Sequence, residues 1–304
     1  MSKILVLGTG CIGSNYDAVK AHGLRISSTI FGDLQVRPTV VRNVAEAIAQ
    51  SPEPFDFVVV CTKATKLVTE TVIQQIKSAL TAQRTSIILI QNGLGVERPF
   101  HNAFPETTII SAVAYLPTTQ VSPGVFVHSE VEILHLGLYP SAPASKPLVT
   151  FAELIRSAGA TSKVHDDVQA ERWCKIVANG TVNPICALSR CRDRRLAQMS
   201  SLATALFRDV MQEIASVAAI AGYGHVVTSQ VVEAQLSRTL SRPSPGVQPS
   251  MMSDALDGRP MEVQAIVGEI VKIATDNGIH IPHLATLYVL LEGLDQSLRG
   301  EADE

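Results

Sequence analysis

The chain has 304 residues, of which 46% are hydrophobic and 17% charged, with a formal net charge of −3; that is enough for about two domains of ordinary size and too apolar for a disordered chain. Its apolar residues are dispersed, no run approaches the roughly 18 uninterrupted apolar residues of a membrane span, and the slight negative charge leaves no electrostatic footprint for nucleic acid or an anionic membrane surface, so a small molecule is the expected partner. Five scattered cysteines without a C-x-x-C pair suggest neither a disulfide framework nor a metal site, and an N-terminus reading MSKILVLG suggests a first strand instead of a signal peptide, so the expected address is cytoplasmic.

Residues 4–7 form the first expected strand, and it runs directly into Gly8-Thr9-Gly10-Cys11-Ile12-Gly13, a full G-x-G-x-x-G. In a dinucleotide-binding unit the first glycine makes the tight turn, the second lets backbone approach a pyrophosphate, and the third lets the next helix pack on the strand. Gly8, Gly10 and Gly13 are therefore candidate cofactor-binding residues. A short helix over 14–22, Gly23 as its cap and a strand over 24–31 would follow, placing Asp33 about 20 residues beyond the glycines, where an NAD-reading acid stands. That helix would rise only about 13 Å and offers chiefly Tyr16 and Val19 to a sheet face, so Asp33 reads better as a turn residue.

Further on, 57–61, 87–90 and 108–113 are nearly continuous apolar runs, as expected of parallel strands buried on both faces. The alternation over 124–138 suggests antiparallel strands closing the same domain. Residues 1–165 thus read as an α/β, Rossmann-like nucleotide-binding domain. From about 166 the periodicity becomes helical, over 170–188, 196–221, 228–240, 261–277 and 284–298, giving an all-helical domain over 166–304. The insert 241–250 carries three prolines in ten residues and reads as a linker. The basic run 190–195, interrupted by Asp193, reads as a solvated turn between helices.

Two segments carry chemistry. In ERWCKIVANGTVNPICAL, residues 171–188, Lys175, Asn179 and Asn183 are spaced i, i+4, i+8 and fall on one helix face, within about 80° of one another. A cation and two amides in a row on an otherwise apolar helix do not form a core pattern. The second segment runs from Ser250 through MMSDALDGRPM to Glu262 and sets a hydroxyl and a carboxylate beside the proline-rich loop.

With these residues in view, the chain resembles the ketopantoate reductase (2-dehydropantoate 2-reductase) family over nearly its whole length. The resemblance is carried by the glycine fingerprint, CTKA at 61–64, QNGLG at 91–95, K-x-x-x-N-x-x-x-N-P at 175–184 and the segment from Ser250 to Glu262. It implies a nucleotide-binding domain, a helical domain and an active site in the cleft between them, with NADPH reducing the ketone of 2-dehydropantoate or a related 2-keto acid on the route to pantothenate. Lys175 matches the catalytic lysine, since hydride delivery to a ketone builds an alkoxide that needs a nearby cation able to give a proton. Glu262, counted with it as catalytic, and Ser250 match residues that hold the substrate, and Asn179 and Asn183 match its amide ligands. Asn92 matches an asparagine near the nicotinamide, and Lys63 a lysine beside the cofactor. A monomer or homodimer is expected.

The sequence also departs from the family. A segment resembling NYDAVKAHGLRI normally follows the second strand and the basic residue that reads the NADP 2′-phosphate, whereas here it follows Gly13-Ser14 at once. About 15 to 20 residues, the first crossover helix and second strand, are thus expected to be absent. After Glu262, VQAIVG replaces the I-D-x-x-N-G of many relatives. A second reading follows from the shortened unit: a family member without redox activity, acting as a binding protein, an inactive isoform or a cofactor-free acid-base or cyclisation catalyst.

Overall fold

The computed structural model describes residues 2–8 and 12–300, with residues 12–14 described by their backbone alone. Residues 1–91 with 96–168 form one compact unit, and residues 92–95 with 169–304 form a second.

The first unit runs β1 (Ile4–Leu7), α1 (Ile12–His22), β2 (Leu24–Ser28), β3 (Gly32–Val36), α2 (Val44–Gln50), β4 (Phe57–Val60), α3 (Lys66–Ile76), β5 (Ser86–Ile90), α4 (Arg98–Ala103), β6 (Ile109–Tyr115), β7 (Thr118–Ser122), β8 (Val125–His128), β9 (Ile133–Tyr139), α5 (Lys146–Ser157) and β10 (Ser162–Val164). Its strands form two sheets, a main one in the order β1-β4-β5-β6-β9-β10 and a small one in the order β3-β2-β8-β7. In the main sheet β1, β4, β5 and β6 are parallel neighbours and β9 is antiparallel to β6. The apolar runs divide by pleat: Val58, Val60, Ile87 and Leu89 enter one buried cluster, while Phe57, Val59 and Ile88 enter another on the opposite face. A strand buried on both faces must be apolar at every position.

β1 breaks this rule on one side. Leu5 joins the first cluster, but Ile4 and Val6 are 42% and 52% exposed. Their register partners on β4, Phe57 and Val59, are 3% and 5% exposed, so the cover over that face stops at β4. The short helix after the glycine fingerprint does form, ends at Gly23 with φ +75, and leads to a strand. That strand, β2, pairs with β3 and β8 in the small sheet and not with β1. α1 docks there too: Asn15, buried, exchanges two 3.1 Å side-chain hydrogen bonds with Gln120 and accepts a third from Gly124 N at 2.7 Å. Asp33 lies on β3 opposite Ser27, exposed, and is a strand residue instead of the expected turn residue.

The second unit comprises α6 (Gln169–Ser189), α7 (Asp193–Ala197), α8 (Ser201–Ile220), α9 (Ser229–Ser241), α10 (Ser250–Leu256), a π-helical turn (Gln264–Gly268), α11 (Glu269–Asp276) and α12 (Pro282–Arg299). Its core gathers Trp173, Ile176 and Val177 of α6, Phe207, Val210, Met211 and Ile214 of α8, and Leu284 and Leu291 of α12. Two details differ from the helical periodicity. The expected helix over 196–221 is cut because Ser200 caps α8, accepting from Ala203 N at 3.1 Å, a role serine fills well. The expected helix over 261–277 opens with the π turn.

The reading of 190–195 as a solvated turn and of 241–250 as a linker is corrected by one residue. Asp193 is fully buried. Its carboxylate accepts from Arg194 N and Val247 N, each at 2.7 Å, and pairs with the Arg242 guanidinium. Its own N–H and that of Arg195 donate to the carbonyls of Val247 and Pro245. The proline-rich loop is thus pinned to the start of α7, because a buried carboxylate persists only where charge and hydrogen bonds compensate it. Among the described residues no helix is long and apolar enough to cross a membrane.

Candidate active site

α6 presents Lys175 half-buried, with Asn179 one turn further on, half-buried, and Asn183 two turns further on, buried. Lys175 Nζ donates to Asn92 Oδ1 at 2.8 Å. Asn92 belongs to the QNGLG turn, whose residues 92–95 pack with the helical unit, and the turn is held there from two directions. Leu94 N donates to Ala265 O in the π turn at 2.8 Å, and Gly93 carries φ +98 so close to that turn that an added Cβ would sit 2.4 Å from Ala265 O. From the other side the guanidinium of Arg172, only 3% exposed, donates to Gly93 O at 3.0 Å.

The same groups set the electrostatics. Burial, and then the Arg172 charge, push the Lys175 ammonium down from its ordinary 10.5, the Glu262 carboxylate pulls in the opposite direction, and the balance lies at about 8. Desolvation disfavours the charged form of a lysine, and a neighbouring cation adds to that. Glu262, half-buried, precedes the π turn, the kind of helical irregularity that recurs at functional sites. The preceding residue is fixed by Met261 N donating to the buried Asp295 carboxylate at 2.6 Å. Ser250 opens α10, exposed, and α10 packs along α6. Lys175 therefore interacts with both Asn92 and Glu262, with Asn179 and Asn183 on the same helix as the lysine. Arg172 escaped the reading of the sequence, although its place three residues before Lys175 puts it on the same side of the helix.

In the first unit the ends of β1, β4 and β5 meet, the edge at which open parallel sheets receive ligands. Gly8, with φ +84, lies so near the end of β4 that a Cβ would fall 2.7 Å from Thr62 N. Gln91, at the end of β5, donates to Thr62 O at 2.8 Å. This ordered strand end carries Lys63, half-buried. Gly13 lies in the first turn of α1, and Gly10 lies outside the described residues. The close packing of Gly8 on the end of β4 fits the tight turn that a dinucleotide-binding unit needs after its first strand; Gly8 and Lys63 would be the residues to hold the pyrophosphate and nicotinamide side of such a group. On the outer side of β1, where the adenosine half would rest, no strand stands among the described residues.

Comparison with known proteins agrees with the architecture. The family model "Ketopantoate reductase PanE/ApbA" matches residues 9–141, and "Ketopantoate reductase PanE/ApbA C terminal" matches residues 167–295. The crystal structure of 2-dehydropantoate 2-reductase from Methylococcus capsulatus is 30% identical, with a TM-score of 0.83 and coverage of 97% of each chain. The 2-dehydropantoate 2-reductase of Nostoc sp. is 26% identical over 96% of this chain and 95% of its own length. The Meiotically up-regulated gene 72 protein of Schizosaccharomyces pombe is 25% identical over 91% of this chain, which spans only 50% of that longer relative. Two domain models that together cover most of the sequence, on a fold shared nearly end to end with a solved reductase, place this chain in the ketopantoate reductase family.

Proposed function

We propose that the chain reduces the ketone of a 2-keto acid, 2-dehydropantoate or a close relative, to the 2-hydroxy acid, as a step toward pantothenate. Residues 1–165 would serve the nicotinamide cofactor, NADPH in the family, and residues 166–304, with Asn92, the substrate. The observation that carries this reading is the Lys175–Asn92 contact, which holds a desolvated ammonium with a pKa near 8 in one place.

When bound, the cofactor supplies a hydride to the carbonyl carbon. The remaining work falls to the side chains. Lys175 holds its ammonium toward the carbonyl oxygen, polarises it, and gives up one proton as negative charge builds there, so that ketone, hydride and proton sum to the alcohol. With a pKa near 8, the lysine is mostly charged at neutral pH and regains the proton from solvent. Asn92 fixes the ammonium so that little reorganisation is needed during reaction. Asn179 and Asn183 offer amides to the substrate hydroxyl and carboxylate, Ser250 adds a hydroxyl for the carboxylate, and Glu262 accepts from a substrate hydroxyl while holding Lys175 in its charged form.

The test is keto-acid-dependent oxidation of reduced nicotinamide by the purified chain. Turnover with 2-dehydropantoate or another 2-keto acid, lost in Lys175→Ala with the circular dichroism unchanged, is the expected result. No turnover with any 2-keto acid overturns the reading.

A further inference from the structure

We infer that this chain does not read the adenosine 2′-phosphate of a nicotinamide dinucleotide, so that NADPH and NADH bind it alike; the inference rests on the reductase reading above and narrows its cofactor. Dinucleotide-binding sheets order their strands 3-2-1-4-5-6, and the ligand lies where that order reverses. The residue that distinguishes a ribose hydroxyl from a 2′-phosphate stands at the end of the strand beside the first, about 20 residues past the glycines. Here the main sheet starts at β1 and proceeds through β4, β5 and β6 without reversing.

Among the described residues no strand stands on the outer flank of β1 either. Val6 is 52% exposed although its register partner Val59 is 5% exposed. The segment that should return beside β1 instead builds the small sheet, with Asp33 exposed on its edge strand β3. The arginines between β3 and α2 have other engagements. Arg37 donates to Ala21 O, at the far end of α1. Arg42 lies over the Tyr16 ring at 4.1 Å and pairs with Asp17 at 3.7 Å, a carboxylate that opposes any phosphate brought to the same guanidinium.

A 2′-phosphate held by an arginine gives about tenfold or more in affinity. Titrating the full chain with NADPH and with NADH, read by calorimetry and independent of turnover, is expected to give dissociation constants within about threefold of each other. Arg42→Ala is expected to leave both unchanged within the same margin. NADPH binding tighter than NADH by more than that, or a loss on Arg42→Ala confined to NADPH, overturns the inference and leaves the reductase reading standing. Binding of neither cofactor by the folded chain overturns both.

Discussion

The ammonium of Lys175 and the side-chain carbonyl of Asn92 lie 2.8 Å apart although 83 positions separate them in the chain. The turn that carries Asn92 to this contact needs glycine at position 93. With φ +98, and an added Cβ 2.4 Å from Ala265 O, any side chain must either strain the backbone or push the turn off the π-helical segment. Gly93→Ala is expected to cost about 2–4 kcal/mol of stability and to lower turnover by roughly 100-fold through misplacement of Asn92. Urea unfolding and steady-state kinetics on the same preparation check both. An effect on stability with unchanged turnover would separate Asn92 from catalysis.

The pH dependence of reduction follows from the charge that must be present. Reduction needs Lys175 protonated, so the rate is expected to fall as pH rises through about 8. Arg172 lowers that pKa and Glu262 raises it. Arg172→Met should therefore move the falling limb to higher pH and Glu262→Gln should move it to lower pH, both read from kcat/KM profiles. The opposite signs make the pair informative, since a general loss of structure cannot move the limb both ways.

The same shift predicts that the site is held at a cost. Between pH 8 and 10.5 the unfolded chain keeps the lysine proton that the folded chain has lost, so stability contributed by this group rises with pH across that window, and the full penalty is present below it. Lys175→Met, which keeps the chain length and removes the charge, is expected to stabilise the protein at pH 7 by about 1–2 kcal/mol while abolishing turnover. It should also flatten the rise between pH 8 and 10.5. Denaturant midpoints across that range are the measurement.

Much of this was legible in the sequence, and the exceptions share a cause. Strands such as β4 and β5, buried on both faces, announce themselves as continuous apolar runs, and the spacing of Lys175, Asn179 and Asn183 shows a helix face directly. Arg172 and Asp193 did not declare themselves, because a charged residue in sequence reads as surface until its partner is known. The partners, Gly93 O and the residues 242–247, lie 79 residues away in the first case and about 50 in the second. The destination of β2 was also hidden. Helix and strand were both readable after Gly13, and β3 pairs with β2 as a local hairpin, but the pairing of β2 with β8 joins residues 100 positions apart.

Asp193 tests whether the proline-rich loop is a tether or a fixed part of the fold. Its carboxylate is fully buried and compensated by Arg242 and two N–H groups. Asp193→Ala is expected to cost about 3–5 kcal/mol, because the arginine loses its partner and the loop its anchor. Proteolysis should then cut within 242–249 under native conditions. A loop that served only as a linker would be cut equally in the parent chain.

The edge position of β1 makes a sharper distinction between neighbouring valines. Val6 and Val59 face each other across the β1–β4 ladder, yet one is 52% and the other 5% exposed. If nothing covers the outer strand, Val6→Lys places its ammonium in water and is expected to change stability by less than about 0.5 kcal/mol. Val59→Lys buries a charge among Phe57, Ile88 and Phe151 and is expected to cost about 4 kcal/mol or more. In a sheet completed by a crossover helix on that side the two substitutions would be equally severe. Comparable destabilisation by Val6→Lys in equilibrium unfolding would therefore show that another part of the chain covers β1, and that its nucleotide-binding unit is not shortened there.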